Sequence, residues 1–169
     1  MPHLAALYKT AKFLAYEPSD AEDLVQEVYL EAWKSFHRFA PGTNCRAWLF
    51  KILFHRLHHL RRRQLKSSKV ESFSSPAEPD TLPAAPPVPQ EIRDEDILQA
   101  LAKVPGDFRE VVLMTDVQEF SYKEVAETLG IPLGTVMSRL SRGRKLLRQE
   151  LAQVARSYGI SAGNESESA

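Results

Sequence analysis

A stretch of short polar and basic side chains near the C-terminus has the composition of a surface that contacts DNA. No acidic residue occurs from 128 to 149, although five basic residues fall between 139 and 148. Short polar groups can contact base edges, and cations can bind the flanking phosphates. The polar face would contain Thr135, Ser138, Arg139, Ser141, Arg142 and Lys145. The alternative is an ordinary helical hairpin with a solvated basic face.

Two short helices joined by a tight turn would position this surface. Ser121 and Glu124 have the spacing of a capping box, which predicts the start of the first helix. Gly130 can adopt the left-handed conformation that ends a helix, and Pro132 suits the first turn of the next one. The pattern predicts a helix-turn-helix with its second helix in the DNA groove.

Three histidines raise the separate question of a metal site. His55, His58 and His59 have i, i+3 and i+4 spacing on one predicted helix, which can present two imidazoles to a metal ion. No Asp, Glu or Cys lies near them on that helix, and the bases at 61–63 would repel a cation. The sequence therefore favours contact with phosphates or bases, or an exposed solvated face, over a metal-dependent enzyme.

Aromatic residues accompany the basic ones in the first half of the chain. Rings that stack on unpaired bases, together with cations that hold the backbone, suit single-stranded DNA. The alternative is that the rings form the core, and this is what we expect for Trp33, Phe36, Phe50 and Phe54. Trp48 follows a polar loop, and both interpretations remain open for it.

An acidic patch at 23–27 lies on a predicted amphipathic helix. It is either a plain solvated face or a docking surface for a basic protein, because DNA would repel it. The sequence contains no nucleophile with its base, no glycine-rich phosphate loop and no paired-cysteine metal motif. We therefore expect no enzymatic activity, no cofactor and no bound metal.

Charge is segregated along the 169 residues, although the formal net charge is zero. Residues 17–31 carry six acids and no Lys or Arg, whereas residues 46–69 carry eight bases and no acid. Such blocks indicate at least two kinds of partner surface. The single cysteine, Cys45, excludes an internal disulfide and fits a reducing compartment. Without a signal peptide or an apolar run of about 20 residues, we expect a cytoplasmic protein with no membrane insertion.

Helical periodicity without strand alternation predicts an all-α chain of two small domains. Helices are expected over about 3–15, 20–36 and 46–64, with Ser19 and Glu22 as a second capping box. Four more helices follow, and Asp94 and Asp107 are expected at the starts of two of them. The expected division is a three-helix domain over 1–66, a linker over 67–92, a four-helix domain over 93–155 and a flexible tail over 156–169.

Three segments together resemble the bacterial sigma factors of the extracytoplasmic-function (ECF) type. They are DAEDLVQEVYLEAWKSFHRFAPG, RAWLFKILFHRLHHLRRR and GIPLGTVMSRLSRGRKLL. The resemblance covers about 4–66 and 94–151. It implies a non-catalytic subunit of RNA polymerase that reads the −35 and −10 elements of a promoter and helps to open the DNA.

The resemblance also assigns roles to individual residues. The polymerase-binding motif falls on Asp23, Leu24, Gln26 and Glu27, with Leu24 and Val25 beneath the surface. The −10 reading and strand-opening part falls on Asn44, Trp48, His55, Arg56, Arg61 and Arg62. The −35 recognition helix falls on 133–144, with Thr135, Met137, Ser138 and Ser141 near bases and Arg139, Arg142 and Arg144 near phosphates.

Two residues depart from the family pattern at reading positions. His55 stands where many members have Asn, and Met137 stands where Arg or Lys is frequent, so the family's usual promoter sequence is not transferred. The implied partners are the clamp helices and flap of core RNA polymerase, and promoter DNA in duplex and melted form. Anti-sigma factors are common partners in the family, but no residue identifies one here. The alternative function is a stand-alone dimeric repressor or activator, for which no heptad seam is visible.

The linker is long enough for two-site promoter binding. Six prolines over 67–92 predict an extended segment, and 26 residues of polyproline helix reach about 80 Å. Two recognition modules two DNA turns apart are separated by roughly 70 Å. A free coil of the same length would average only about 30 Å. We therefore expect the linker to be stretched when both modules bind, along a basic channel of the polymerase.

Overall fold

The computed structural model describes residues 3–15, 18–67 and 93–158. Within these ranges the chain forms seven α-helices and no strand, in agreement with the predicted all-α class. The first domain contains α1 (Leu4–Leu14), α2 (Pro18–Ser35), a 3₁₀ turn (Phe36–Arg38) and α3 (Cys45–Ser67). The second contains α4 (Asp94–Lys103), α5 (Gly106–Val112), a π-helical turn (Leu113–Val117), α6 (Tyr122–Leu129) and α7 (Leu133–Ser157). Apart from Ser67, the last residue of α3, the expected linker lies outside the described residues.

The helix starts follow local signals, with three differences from expectation. Ser121 accepts a hydrogen bond from the Glu124 backbone N–H, and the Glu124 carboxylate accepts one from the Ser121 backbone, which confirms the capping box of α6. α2 instead begins at Pro18, so the expected cap Ser19 lies inside the helix. Likewise, Asp94 is the first helical residue of α4 rather than its N-cap, which is Arg93. α5 begins at Gly106 with Pro105 as its N-cap, so the expected cap Asp107 lies inside the helix. α2 and α5 therefore begin two residues before the expected position, and α4 begins one residue before it.

The core of the first domain confirms part of the aromatic prediction and overturns the rest. Phe50 and Phe54 are buried between the helices, as expected. Trp33 and Phe36 were expected in the core, but their side chains are 83% and 64% exposed. The buried stripe of α2 ends on Ala32, and Trp33 follows it by one residue, which rotates its side chain about 100° away from the core. Phe36 lies in the 3₁₀ turn, where its ring stacks on Phe39.

The second domain places α7 very close to α5, and a glycine makes this possible. Gly143 is buried in α7, and a Cβ atom at this position would lie 2.7 Å from Val112 Cγ2 and 3.2 Å from the Phe108 backbone oxygen. Because backbone atoms of α5 cannot move aside as a flexible side chain could, this position requires glycine. The glycine therefore determines how closely the recognition helix is held to its support.

We expect Gly143→Ala to lower the free energy of unfolding by about 1–3 kcal/mol, the usual cost of overpacking a core. Urea denaturation of the full chain would measure it. The matched control is Gly134→Ala, in the same helix, where an added Cβ meets nothing within 4 Å. That change should leave stability equal or raise it by up to about 1 kcal/mol through helix propensity. A Gly143→Ala protein as stable as the Gly134→Ala protein would contradict the assignment.

The two domains pack against each other in this structure. α1 contacts α4 and α5, and α3 contacts α6. Most of the buried apolar residues form one cluster that runs from Leu7 and Phe50 in the first domain to Phe120 and Leu140 in the second. The described helices of the two domains are therefore in contact, with the helix-turn-helix held beside α3.

Candidate functional site

The exposed face of α7 carries the residues expected to contact DNA. Met137 is 54% exposed, and Ser138, Ser141 and Arg142 are also exposed. The opposite face, with Val136, Leu140 and Gly143, is buried against the rest of the domain. α7 therefore has one face for anchoring and one for contact. Thr135 lies half-buried at the first turn of the helix.

Three arginines of this face differ in how firmly they are held. Arg144 makes two hydrogen bonds to the Asp116 carboxylate, and these raise its pKa. Arg139 lies 3.5 Å from an oxygen of Asp107. Arg142 has no ion pair among the described residues. Of these three arginines, Arg142 is thus the most accessible to a phosphate. Arg139 and Arg144 must first release a carboxylate before they can bind a phosphate.

The turn before α7 has the conformation predicted for Gly130, whereas Pro132, expected in the first turn of α7, lies one residue before the helix. Gly130 has φ 66°, in the left-handed region, and Pro132 is the N-cap of α7.

Hydrogen bonds from the Ser121 backbone and hydroxyl lower the pKa of Glu124. Since the lowered pKa favours the ionised carboxylate in the folded state, this stabilisation is present above the ordinary carboxyl pKa and is lost as the pH falls through the lowered value.

The residues assigned to −10 reading lie along α3 and the loop before it. Asn44 caps α3, since its side-chain oxygen accepts a hydrogen bond from the Ala47 N–H, and its amide donates to Glu124 of α6 at 3.0 Å. Trp48 is half-buried, with its ring 5.0 Å from that of Phe39. His55 and Arg62 are exposed. The structure therefore leaves a row of polar and aromatic groups at one side of α3.

Arg56 and Arg61 carry carboxylate partners in this conformation. Arg56 pairs with Glu31 of α2, inside the first domain. Arg61 Nη1 lies 2.6 Å from Glu110 Oε1 of α5, in the second domain. Glu110 is 2% exposed, and sequence reasoning did not single it out. The only signal that could have identified it was the position of an acid directly before Val111 and Val112 in the apolar part of α5.

The acidic face of α2 is an exposed surface with apolar neighbours. Asp23 and Gln26 are exposed and Glu27 is half-exposed, as a docking surface requires. Leu24, included in the expected polymerase-binding set, is 2% exposed and can only support this surface from beneath. Leu30 and Trp33 were missed: they are 55% and 83% exposed on the same side of α2 as Asp23. We call Asp23, Gln26, Glu27, Leu30 and Trp33 the docking face.

A cleft of about 170 Å³ opens beside the docking face, between α2, α3 and the end of α1. Asp20, Asp23 and Glu27 line its acidic side, and Leu24, Leu57 and Leu60 line its apolar side. Arg61 also lines the cleft. An apolar cleft with carboxylates along one side fits a partner segment that combines basic and apolar side chains.

The histidines do not form a metal centre in the part of the chain that is described, where no group of three or more His, Cys, Asp or Glu side chains is arranged to hold an ion. His58 Nε2 instead lies 2.9 Å and 3.0 Å from the two carboxylate oxygens of Glu110.

No described helix combines the length and the apolar character needed to cross a membrane.

Two family models match the chain, one on each domain. The Sigma-70 region 2 family matches residues 1–66, and the Sigma-70 region 4 family matches residues 94–147. The first match ends within α3, and the second begins at α4 and ends within α7.

Curated relatives extend the similarity across both domains. The chain is 35% identical over 156 residues to the ECF RNA polymerase sigma factor SigE of Mycolicibacterium smegmatis, covering 89% of this chain and 59% of SigE. It is 35% identical over 130 residues to the ECF RNA polymerase sigma factor EcfG of Rhodopseudomonas palustris, covering 75% of this chain and 68% of EcfG. The chain thus spans about three fifths to two thirds of these relatives' lengths.

Two solved structures are similar to this chain across both domains. The sigma factor RpoE of Bartonella quintana, in complex with the anti-sigma factor NepR, superposes with a TM-score of 0.71 and 31% identity, over 89% of this chain and 92% of that one. CnrH in complex with the cytosolic domain of CnrY has a TM-score of 0.60 at 22% identity, over 92% and 83% of the two chains, and shares the fold.

Proposed function

The chain belongs to the ECF RNA polymerase sigma factors of the sigma-70 family, and we propose that it binds core RNA polymerase and directs it to promoters through −35 and −10 elements. The observation that carries the proposal is the order of the two matched regions on two helical domains. One domain presents an acidic docking face, and the other presents an exposed recognition helix. Since core polymerase and promoters both lie in the bacterial cytoplasm, we expect the protein to act there.

A direct test combines association and transcription. The purified full chain is mixed with core RNA polymerase, the complex is isolated, and transcripts are sequenced from a library of random promoters. We expect a stable complex and transcripts from promoters that share two sequence elements. Absence of both the complex and selective transcripts would end the proposal. A stand-alone repressor or activator would instead protect a palindromic duplex site without polymerase.

Within this function, we assign polymerase binding to the docking face and to the cleft beside it. The negative charge of Asp23 and Glu27 favours a basic surface on the polymerase. Leu30 and Trp33 add apolar area that water covers in the free chain. Large exposed aromatic side chains are frequent binding hot spots, because their burial removes much apolar surface from water.

Trp33→Ala is therefore expected to weaken core polymerase binding at least tenfold, the effect of losing a hot-spot tryptophan worth about 2 kcal/mol. The fold should not change, since this side chain is 83% exposed. Titration of labelled chain with core polymerase would measure the affinity. The control is Leu4→Ala, which removes an exposed apolar side chain from α1. Equal affinities for the two variants would remove Trp33 from the docking face.

Promoter reading is divided between α7 and α3. We assign base contacts in the −35 element to Thr135, Met137, Ser138 and Ser141. We assign phosphate contacts at this element to Arg139, Arg142 and Arg144. We assign contacts with the −10 element and its melted strand to six residues of α3 and the loop before it: Asn44, Trp48, His55, Arg56, Arg61 and Arg62. The accessible polar groups on α7 support the first assignment, and the mixed aromatic and basic face of α3 supports the last.

An anti-sigma factor is a further proposed partner. The support is the similarity to RpoE, which was solved with NepR bound. Addition of an anti-sigma protein encoded by the same organism should reduce complex formation between this chain and core polymerase if the proposal holds. If none of the organism's anti-sigma proteins changes formation of the complex between this chain and core polymerase, the proposal of an anti-sigma partner is wrong.

A further inference from the structure

Two large apolar side chains are exposed at the start of the recognition helix. Leu133 is 49% exposed and Met137 is 54% exposed, and neither belongs to the buried core. α7 is anchored through other residues, among them Val136, Leu140 and Gly143, which are buried. The apolar surface of Leu133 and Met137 is therefore available to a partner.

These two side chains form a continuous apolar strip, because they are four residues apart. In an α-helix this spacing separates them by about 40° around the axis and about 6 Å along it. Side chains at this spacing are neighbours on the helix surface. We call Leu133 and Met137 the apolar strip. Since stacked base pairs are about 3.4 Å apart, the strip spans about two base-pair steps of a groove that it follows.

The apolar strip is chemically matched to one of the four bases. Leucine has no hydrogen-bonding group in its side chain, and the thioether of methionine is only a weak acceptor. In the major groove, the only apolar group on any base edge is the C5-methyl of thymine. Apolar side chains placed against the polar edges of the other bases would remove water without supplying a hydrogen bond, which is unfavourable. The strip therefore favours thymine.

The neighbouring hydroxyl does not offer a free donor beside this apolar contact. Ser138, directly after Met137, donates its hydroxyl hydrogen to the backbone oxygen of Thr135 at 3.1 Å. A free hydroxyl could instead donate to the N7 acceptor of a purine. Because this donor is engaged within the helix, the base beside Met137 is recognised by apolar contact.

A glycine beside the strip allows the helix to come close to the bases. Gly134 follows Leu133, is exposed, and would place an added Cβ atom with nothing of the described chain within 4 Å. Its backbone does not have the left-handed conformation. Neither packing nor backbone geometry therefore requires glycine here, although glycine weakens a helix relative to alanine. Close approach of the backbone to a ligand remains as the physical reason for glycine at this position.

The charges around the strip favour DNA over a protein as this ligand. No acidic residue occurs from 128 to 149, and Arg142 is exposed without an ion pair among the described residues. Cations that bind the phosphates beside a groove leave the strip facing the base edges.

We propose that the apolar strip recognises thymine in the −35 element, through contact of Leu133 and Met137 with the C5-methyl groups of two thymines on either strand. Leu133 is then a specificity-determining residue in addition to those assigned above. The inference rests on the proposed function, because the strip meets base edges only if α7 enters the major groove of a promoter. The two thymines should lie within about two base-pair steps of each other, which is the length of the strip.

The size of the effect follows from the apolar area of a methyl group. Removal of one CH₂-sized group from water contributes about fourfold in affinity. Two thymine methyl groups that are buried against the strip should together contribute about tenfold.

The test removes these methyl groups without altering base pairing. Deoxyuridine pairs with adenine as thymidine does, but it lacks the C5-methyl group. The wild-type chain with core RNA polymerase first selects its preferred promoters from a library randomised at the −35 element. Deoxyuridine then replaces thymidine at the two −35 positions or, as a control, at two positions between the −35 and −10 elements. Competition binding at one salt concentration measures the affinity of the polymerase complex for each promoter.

Three full-length variants show whether the methyl groups act through the strip. Leu133→Ala and Met137→Ala each shorten one side chain of the strip, and alanine favours the helix. The control Leu4→Ala removes an exposed apolar side chain from α1. Circular dichroism checks the helical content of each variant, and titration measures its affinity for core polymerase.

We expect the wild type to bind the −35 deoxyuridine promoter about tenfold more weakly than the thymidine promoter, and to bind the control promoter without loss. Leu133→Ala and Met137→Ala should each respond to only one of the two methyl groups, whereas Leu4→Ala should match the wild type. A change in DNA stiffness caused by deoxyuridine would weaken binding by all four proteins alike. Equal sensitivity of all four proteins to deoxyuridine would therefore overturn the inference.

Failure of the inference and failure of the proposed function give different results. If the wild type forms no complex with core polymerase and selects no promoters, the proposed function is wrong and thymine recognition is wrong with it. If the selected −35 elements contain no thymine, or if deoxyuridine changes no affinity, the function stands and thymine recognition is wrong. If Leu133→Ala and Met137→Ala lower the affinity for core polymerase itself, the strip is a protein contact and thymine recognition is again wrong.

Discussion

Asp23→Lys is expected to lower the affinity for core RNA polymerase at least 100-fold and to leave the isolated chain folded. Asp23 is exposed on α2 and lines the acidic side of the cleft with Asp20 and Glu27. A lysine here replaces an attraction to a basic partner with a repulsion, and a like-charge contact at an interface costs several kcal/mol. An affinity loss of 100-fold corresponds to about 2.7 kcal/mol. Substitution of an exposed residue usually changes stability by no more than about 0.5 kcal/mol.

Titration with core polymerase measures this effect, and thermal unfolding followed by circular dichroism checks the fold. The matched control is Glu95→Lys, which makes the same charge change at an exposed position on α4 of the second domain. The control should bind within a few-fold of the wild type. Asp23→Lys with wild-type affinity would show that the acidic face of α2 is a solvated surface after all.

Met137→Arg is expected to change which −35 sequence the chain prefers. Met137 is 54% exposed on the contact face of α7, next to Ser138. Methionine offers no hydrogen-bond donor to base edges, whereas arginine can bond to guanine in the major groove, and a good pair of this kind discriminates by about 1–3 kcal/mol. Transcription with core polymerase from promoters randomised at the −35 element should therefore show new guanine preference at one position.

Arg142→Ala is the matched comparison for this experiment. Arg142 is exposed on the same helix and has no ion pair among the described residues, so we assign it to a phosphate. Its loss should weaken binding to all promoters alike and reduce the slope of the salt dependence by about one. If Met137→Arg instead lowers activity uniformly, as expected for Arg142→Ala, then residue 137 does not face the bases.

Local signals were sufficient to predict the helices and the helix-turn-helix. The Ser121–Glu124 capping box and the left-handed Gly130 depend on backbone geometry within a few residues, and both are confirmed. The helix starts that differ from expectation by one or two residues, at Pro18, Asp94 and Gly106, reflect the weaker determination of helix ends. The predicted amphipathic character of the helix at 23–27 is likewise confirmed, since Leu24 and Val25 of α2 are buried.

Residue type alone was a poor guide to which aromatic side chains are buried. Phe50 and Phe54 lie in the core, but Trp33 and Phe36 do not, because burial depends on the angular position of a side chain around its helix. The difference matters for function, since an exposed Trp33 extends the docking face. Gly143 shows the same principle, because its role is set by the approach of α5 to α7.

The amino-acid pattern alone was enough to predict the seven helices of the described residues and the all-α class. These follow from periodicity, capping and charge, which act over neighbouring positions. The packing of α3 on the helix-turn-helix, and the contacts of Glu110 with His58 and Arg61, became visible only in the folded chain. Those partners lie 52 and 49 residues away along the chain, and no local pattern specifies which distant side chains a buried carboxylate will meet.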